Sequence, residues 1–350
     1  MTDPVVSVVI PGYNGADFIG ATLASLGAQT LTDWEAIVVD DRSTDATRDI
    51  VRDWADPRVR LVEQAENGGP VRARNRGVAL ARGRYIAGLD QDDLCRPERL
   101  AMQVAYLEAH RDVALVGTQA EQLRDGRVSA MHYAPHTTPD LIAWLSWIEN
   151  PVVWSTVMIR ADIARALDPF TRPEMLYAED FDLYHRVAPL GRIARIDRPL
   201  LLYRQHAGGA SKRFTDTMER AAMRVLAARH APLLGTAAAS GLAQLLVTHN
   251  MGGTPVPDRA TLLRLGTGIA TLQAAFLAAH RPDRESARLI RWETARRWAR
   301  IGRAGLRSGT VGLADVLAAR PPHLGLGYAG VETLLWSGAI GAVRRLRRAA

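Results

Sequence analysis

The chain has 350 residues, 47% of them hydrophobic and 23% charged, which is enough to bury a sizeable core and to make more than one domain. Its single cysteine, Cys95, excludes an internal disulfide and a cysteine-based zinc site and fits a reducing compartment. The net charge of +7 is unevenly placed, with 19 Arg against 8 acidic residues from Thr215 onward and 25 basic against 29 acidic residues before it; no zinc-finger, basic-zipper or aromatic RNA-binding pattern accompanies the basic part, so no nucleic-acid partner is expected.

Asp3 and Pro4 lead directly into Val5-Val6-Ser7-Val8-Val9-Ile10 with no secretory leader pattern, so the expected location is the cytoplasm. That β-branched run predicts a first strand stopped by Pro11-Gly12, and Asp17 to Gln29 predicts an amphipathic helix after it. A second strand is expected at Trp34 to Val39, ending on Asp40-Asp41. Ser43 or Thr44 then reads as the cap of a second helix, with Asp45 near its positive end. Val59 to Val62 is a third strand, Asn67-Gly68-Gly69 a turn, and Pro70 to Ala81 a helix. A fourth strand runs to Asp90, and Arg96 to Leu100 opens the next helix with Pro97 in its first turn. Alternation of this kind points to an α/β sheet of mostly parallel strands.

Asp90, Asp92 and Asp93 put three carboxylates within four positions at a strand end. In open α/β sheets ligands bind at the C-terminal strand edge, where Asp40 and Asp41 also fall. Two carboxylates spaced i, i+2 can converge on one hard divalent cation that keeps positions for water and phosphate oxygens. The pattern suggests a metal–diphosphate site. Its plain structural alternative is an acidic turn, and Asp93 is in either case expected to cap the next helix.

The segments Val8-Val9-Ile10-Pro11-Gly12-Tyr13-Asn14, Val38-Val39-Asp40-Asp41-Arg42-Ser43-Thr44-Asp45, Ala73-Arg74-Asn75-Arg76-Gly77 and Leu89-Asp90-Gln91-Asp92-Asp93, in this order and spacing, resemble glycosyltransferase family 2 over about residues 5 to 212. The resemblance implies the GT-A fold, a mostly parallel mixed α/β sheet flanked by helices, with a nucleotide-sugar donor, a divalent metal (Mg2+ or Mn2+) and inversion at the anomeric carbon. It implies that Pro11, Tyr13, Asp40 and Asp41 border the nucleoside and that Arg74 holds phosphate or orients an Asp. Asp92 would ligate the metal, and Asp90 would contact the sugar, the ribose or the metal and its waters.

On the acceptor side, Asn150 to Arg160 resembles the family's strand beneath the acceptor pocket, where Trp154 stacks on a sugar or joins the core. Tyr177-Ala178-Glu179-Asp180-Phe181-Asp182 resembles the catalytic Glu-Asp segment and implies Asp180 as general base. From the residues alone Glu179 and Asp182 compete for that role, sharing a helix face that Asp180 does not. Pro199 to His206, followed by Ser211, resembles the closing strand, with Arg204 and His206 placed to meet the diphosphate and His206 to approach the metal. Two departures stand out: Ala166 to Pro173 replaces the family's Gly-aromatic element, which leaves the acceptor open, and Arg42 stands where Gly is commoner.

The expected domains are a GT-A catalytic domain at 1–213, with a donor half at about 1–100 and an acceptor half at about 101–213, and a basic helical region at 214–350. Helices are expected at Met218 to His230, Ala237 to Val247, Arg259 to His280 and Asp283 to Arg303, none of them a membrane span. Val331 to Val343, leading into Arg344-Arg345-Leu346-Arg347-Arg348, reads as an interfacial helix that would hold the protein peripherally at the inner face of the membrane. The expected activity is transfer of a sugar from a nucleoside diphosphate, taken as UDP, to a hydroxyl of a glycan or lipid-linked saccharide. The alternative is a non-catalytic nucleotide-sugar or glycan-binding module of the same fold.

Overall fold

In a computed structural model that describes residues 3–321 and 331–349, the apolar runs of the first half become the centre of a mixed sheet. Strands β1 (Val6–Gly12) and β2 (Trp34–Asp40) are buried at all seven positions each, as continuous apolar strands covered on both faces must be. With β3 (Val59–Glu63) and β4 (Tyr85–Gly88) they pair in parallel in the order β3-β2-β1-β4. Their C-terminal ends therefore share one edge. Strands β5 (Leu94–Cys95), β6 (Val113–Arg124), β7 (Arg127–Ala130), β8 (Met158–Arg160) and β9 (Arg192–Arg204) complete it, with β8 antiparallel between β4 and β6, β9 parallel to β6, and β5 antiparallel to β9. Ile10, Leu23, Leu26, Val38, Leu100 and Leu107 are among the residues of its core.

The helices fall at Ile19–Gly27, Thr47–Arg52, Gly69–Leu80 and Arg99–Ala109. Three local expectations change. Ser43 and Thr44 do not cap the second helix, whose N-cap is Ala46; Ser43 Oγ instead accepts from Asn14 N at 3.0 Å and so ties two loops together. Pro97 precedes the N-cap Glu98 rather than sitting in the first turn. Asp93 caps no helix, because β5 intervenes and the buried Asp93 carboxylate accepts from Arg204 N at 2.8 Å.

The chain divides into two compact units, Met1–Pro139 with Pro151–Ala221, and Asp140–Asn150 with Ala222–Ala350. The boundary thus lies beyond the expected one at 213, and an internal segment leaves the α/β part. The reason is burial: Pro139–Leu145 is a short helix whose Leu141, Ile142, Trp144 and Leu145 are apolar and buried. Within the helical unit, Trp144 Nε1 donates to Thr294 Oγ1 at 2.9 Å, and Glu149 and Glu293 both pair with Arg297. Burial works to raise the Glu149 pKa, and the Arg297 charge outweighs it and holds the carboxyl below its ordinary value.

Helices Arg259–His280 and Arg284–Ser308 are N-capped by Asp258 and Asp283, which accept from Thr261 N at 2.7 Å and Ser286 N at 2.8 Å. Arg259–His280 is, among the described residues, long and apolar enough by length and composition to cross a membrane, unlike the sequence expectation. Alanines raise its hydropathy without forming an unbroken apolar run, and its Leu262, Leu265, Ile269, Leu272 and Phe276 are buried within the unit. The last helix is Val331–Ala349; side chains at 211, 331–332 and 345–349, including those of Ser211, Arg345, Arg347 and Arg348, lie outside the described residues.

Candidate active site

The parallel strands deliver their loops to a cavity of about 760 Å3 in the α/β unit. Its walls include Pro11 at the end of β1 and Tyr13 after it, Asp41 after β2, Arg74 in the helix Gly69–Leu80, Asp90 and Asp92 after β4, Glu179, and Arg204 and His206 at the end of β9. Asp40, Trp154 and Asp180 do not line it, although Glu179, the neighbour of Asp180 in the chain, does.

Arg74 organises the floor. Its helix begins at Gly69, and the buried guanidinium pairs with Glu179 and donates to Asp90 Oδ1 at 3.0 Å. It lies 4.7 Å from the centroid of the Trp154 ring, which is buried beneath it as a platform rather than presented to the cavity. Burial alone would lower the Arg74 pKa, but the charges of Asp90 and Glu179 outweigh it and raise the pKa, so the cation is locked. Asp90 is positioned further by Ser155, whose Oγ accepts from Asp90 N at 3.0 Å.

Asp92 and His206 meet on the wall, with Oδ2 and Nε2 at 2.8 Å. Burial, then the Asp90 charge, raises the Asp92 pKa against the pull of His206. Arg204 Nε donates to the Asp92 carbonyl at 2.8 Å, so the closing strand is fastened to the acidic turn at both side chain and backbone. Burial and the Asp92 and Asp90 charges push the Asp93 pKa well up.

The two strand-end aspartates of β2 have different jobs. Asp40 Oδ2 accepts from Ser43 N at 3.0 Å and shapes the turn from below. Asp41 accepts from Gly68 N and Gly69 N, each at 2.7 Å, and from Gln64 Nε2 at 2.6 Å, which makes its carboxylate the anchor of the loop that starts the Arg74 helix. Arg42 adopts φ 64°, the left-handed region that favours glycine, and its Nη1 donates to the Ala65 carbonyl at 2.9 Å instead of entering the cavity.

Asp180 follows Glu179 at the start of the helix Glu179–Val187. Its Oδ1 accepts from Phe181 N at 2.7 Å, and its charge acts on Arg74 and on Tyr184. Asp182, the third carboxylate of the segment, faces Arg172 and Arg186 at 3.6 and 3.7 Å and does not line the cavity.

Residue-type reasoning passed over Gln91. Its side chain accepts from Tyr13 N and donates to the Tyr13 carbonyl, both at 2.9 Å, and so holds the loop that presents the half-exposed Tyr13 ring. A Cβ on Gly15 would stand 2.2 Å from Gln91 Oε1. Gly15→Ala is therefore expected to push the Gln91 amide away from Tyr13 and to cost about 1–3 kcal/mol of stability through the two lost hydrogen bonds, with Gln91→Ala costing a similar amount alone and adding little to Gly15→Ala, as a double-mutant cycle by denaturant unfolding would read. Tyr177 and Phe214, stacked with centroids 4.5 Å apart, and Lys212, the chain's only lysine, were also missed and line the cavity.

Residues 7–167 match the family model described as "Glycosyl transferase family 2". The chain is 29% identical over 198 residues to the UDP-Glc:alpha-D-GlcNAc-diphosphoundecaprenol beta-1,3-glucosyltransferase WfgD of Escherichia coli, a stretch of 56% of this chain and 75% of that one. It spans only 18%, 42% and 30% of the length of three other curated relatives. Among solved structures it resembles S. aureus TarS 1–349 in complex with UDP-GlcNAc, with TM-score 0.54, 19% identity and coverage of 98% of this chain and 91% of that one. It also resembles the mannosyltransferase PcManGT of Pyrobaculum calidifontis in complex with GDP-Man and Mn2+, with TM-score 0.52, 21% identity and coverage of 99% of this chain and 88% of that one. With the four motifs gathered at one edge of a GT-A sheet, residues 7–167 are the part of this chain that belongs with glycosyltransferase family 2.

Proposed function

We infer that the chain transfers a sugar, with inversion, from a nucleoside-diphosphate sugar to a hydroxyl of a glycan or lipid-linked saccharide at the cytoplasmic face of the membrane. The observation that carries the reading is the cavity in which Asp92 and His206 line the wall together with Arg74, Asp90 and Glu179. UDP is the proposed nucleotide, a choice supported by the UDP-named relative and the UDP-GlcNAc complex of the TarS structure.

A divalent metal fits the donor set: Asp92 offers oxygen and His206 nitrogen at one point of the wall, while Asp90 has one oxygen engaged by Arg74. No cluster of three or more His, Cys, Asp or Glu suited to a metal occurs among the described residues, so Mg2+ or Mn2+ would take further ligands from diphosphate and water. Such an ion would supply charge neutralisation for the departing nucleoside diphosphate. On the protein side, Arg74 holds Asp90 and Glu179 in place. Because Glu179 is committed to Arg74, Asp180 is the carboxylate of the pair proposed to take the acceptor proton.

Asp92→Ala tests the reading. Calorimetric titration with UDP-sugars is expected to lose its Mn2+ dependence, with affinity falling about tenfold or more in the presence of the ion; metal-dependent binding undiminished in the variant would exclude Asp92 as a ligand.

A further inference from the structure

The helix Val331–Ala349 is turned inside out relative to an ordinary surface helix, which buries its apolar stripe and shows polar residues to water. Its packed side carries Leu334 and small residues: Leu334 and Ser337 are buried, and Gly341 is so close to the helix Arg284–Ser308 that a Cβ there would stand 1.9 Å from the Leu306 carbonyl oxygen. Its outward side is apolar. Leu335 and Ala339, four apart, and Trp336, Ile340 and Val343, at i, i+4 and i+7, share one face. Leu335 is 52% exposed, Trp336 67% and Val343 50%, which is a contiguous patch rather than scattered single residues.

Charge borders this patch. Arg344 is exposed one position beyond Val343, and its Nη1 donates to the Arg307 carbonyl at 3.0 Å, which brings the exposed Arg307 to the same helix end. The sequence continues as Arg345, Arg347 and Arg348, within a C-terminal stretch that has 19 Arg against 8 acidic residues. An apolar face with an indole at its centre and arginines at one end matches an anionic bilayer surface, where the ring enters the headgroup boundary and guanidinium groups meet lipid phosphates. A second protein copy would bring the same excess of arginines against itself.

We propose that the Leu335–Trp336–Ala339–Ile340–Val343 face of this helix docks on anionic phospholipid bilayers. The surface belongs wholly to the helical unit, so its test is independent of the reading given to the cavity. The full chain is sedimented with vesicles of phosphatidylglycerol mixed with phosphatidylcholine, with pure phosphatidylcholine as the neutral comparison, and Trp fluorescence is followed against a Trp336→Phe background. Binding to the anionic vesicles alone, weakened by salt, is expected. The double variant Trp336→Ser with Val343→Ser should bind about tenfold less or weaker, and Arg344→Glu should weaken binding with the apolar face intact. No sedimentation with anionic vesicles, or equal binding by the double variant, overturns the proposal. So does a lipid-free dimer that the double variant abolishes, because a second copy then covers the face.

Discussion

Asp180→Asn is expected to leave donor affinity within about twofold of the unchanged chain while transfer to acceptor falls by roughly 10^2 to 10^4, the usual worth of a positioned general base. Asn keeps the shape and can still meet Phe181 N through its carbonyl, so the fold around the helix Glu179–Val187 should survive. The split between binding and turnover is the diagnostic. An interaction made only in the transition state lowers kcat without raising the donor Kd. Donor titration beside a transfer assay reads both quantities, and transfer at the unchanged rate would remove Asp180 as the base. Glu179→Gln makes the contrasting variant, because Glu179 is held by Arg74 and its loss should loosen the array and weaken donor binding as well.

Arg74→Met carries the largest expected effect on stability. The Glu179 side chain is 4% exposed and depends on Arg74 for its counter-charge, while Asp90 is 31% exposed and remains partly solvated. Removing one member of a buried ion pair costs about 3–5 kcal/mol, since the partner is left charged in a poor solvent. The lost stacking of the guanidinium on Trp154 adds to this. Urea unfolding should show the full loss in Arg74→Met and recovery of much of it in Arg74→Met with Glu179→Gln, which removes the carboxylate stranded by the loss of Arg74. If the second change recovers nothing, the array is not what stabilises the floor of the cavity. In either background donor binding should remain weak, because Asp90 has lost its orienting partner.

Legibility along the chain followed the range of the interactions. β1, β2 and the helix Gly69–Leu80 could be read from runs of apolar residues, Gly-Pro punctuation and helical period, because those signals lie within a dozen residues. Asp90, Asp92, Arg74 and His206 could be singled out by motif, and the cavity gathers them. Asp40 carried the same motif signal as Asp41 and yet faces the turn, since adjacent residues at a strand end point to opposite sides. Gln91 gave no signal of its own type. Its role exists only because β1 and β4 are neighbours and their loops meet, 78 positions apart in sequence. Asp93 misled for a similar reason, its partner being Arg204, 111 positions away.

By itself the amino-acid sequence determined the α/β class, the resemblance to family 2, the acidic strand end and the basic, helical character of the second half. These depend on local composition and period, which a linear reading contains. Only the tertiary structure decided that residues 140–150 belong with the helices, that Trp154 is a platform beneath Arg74, and that the last helix shows its apolar face outward. Each of these depends on which surface of an element finds a partner, and that is settled by packing among segments far apart in the chain.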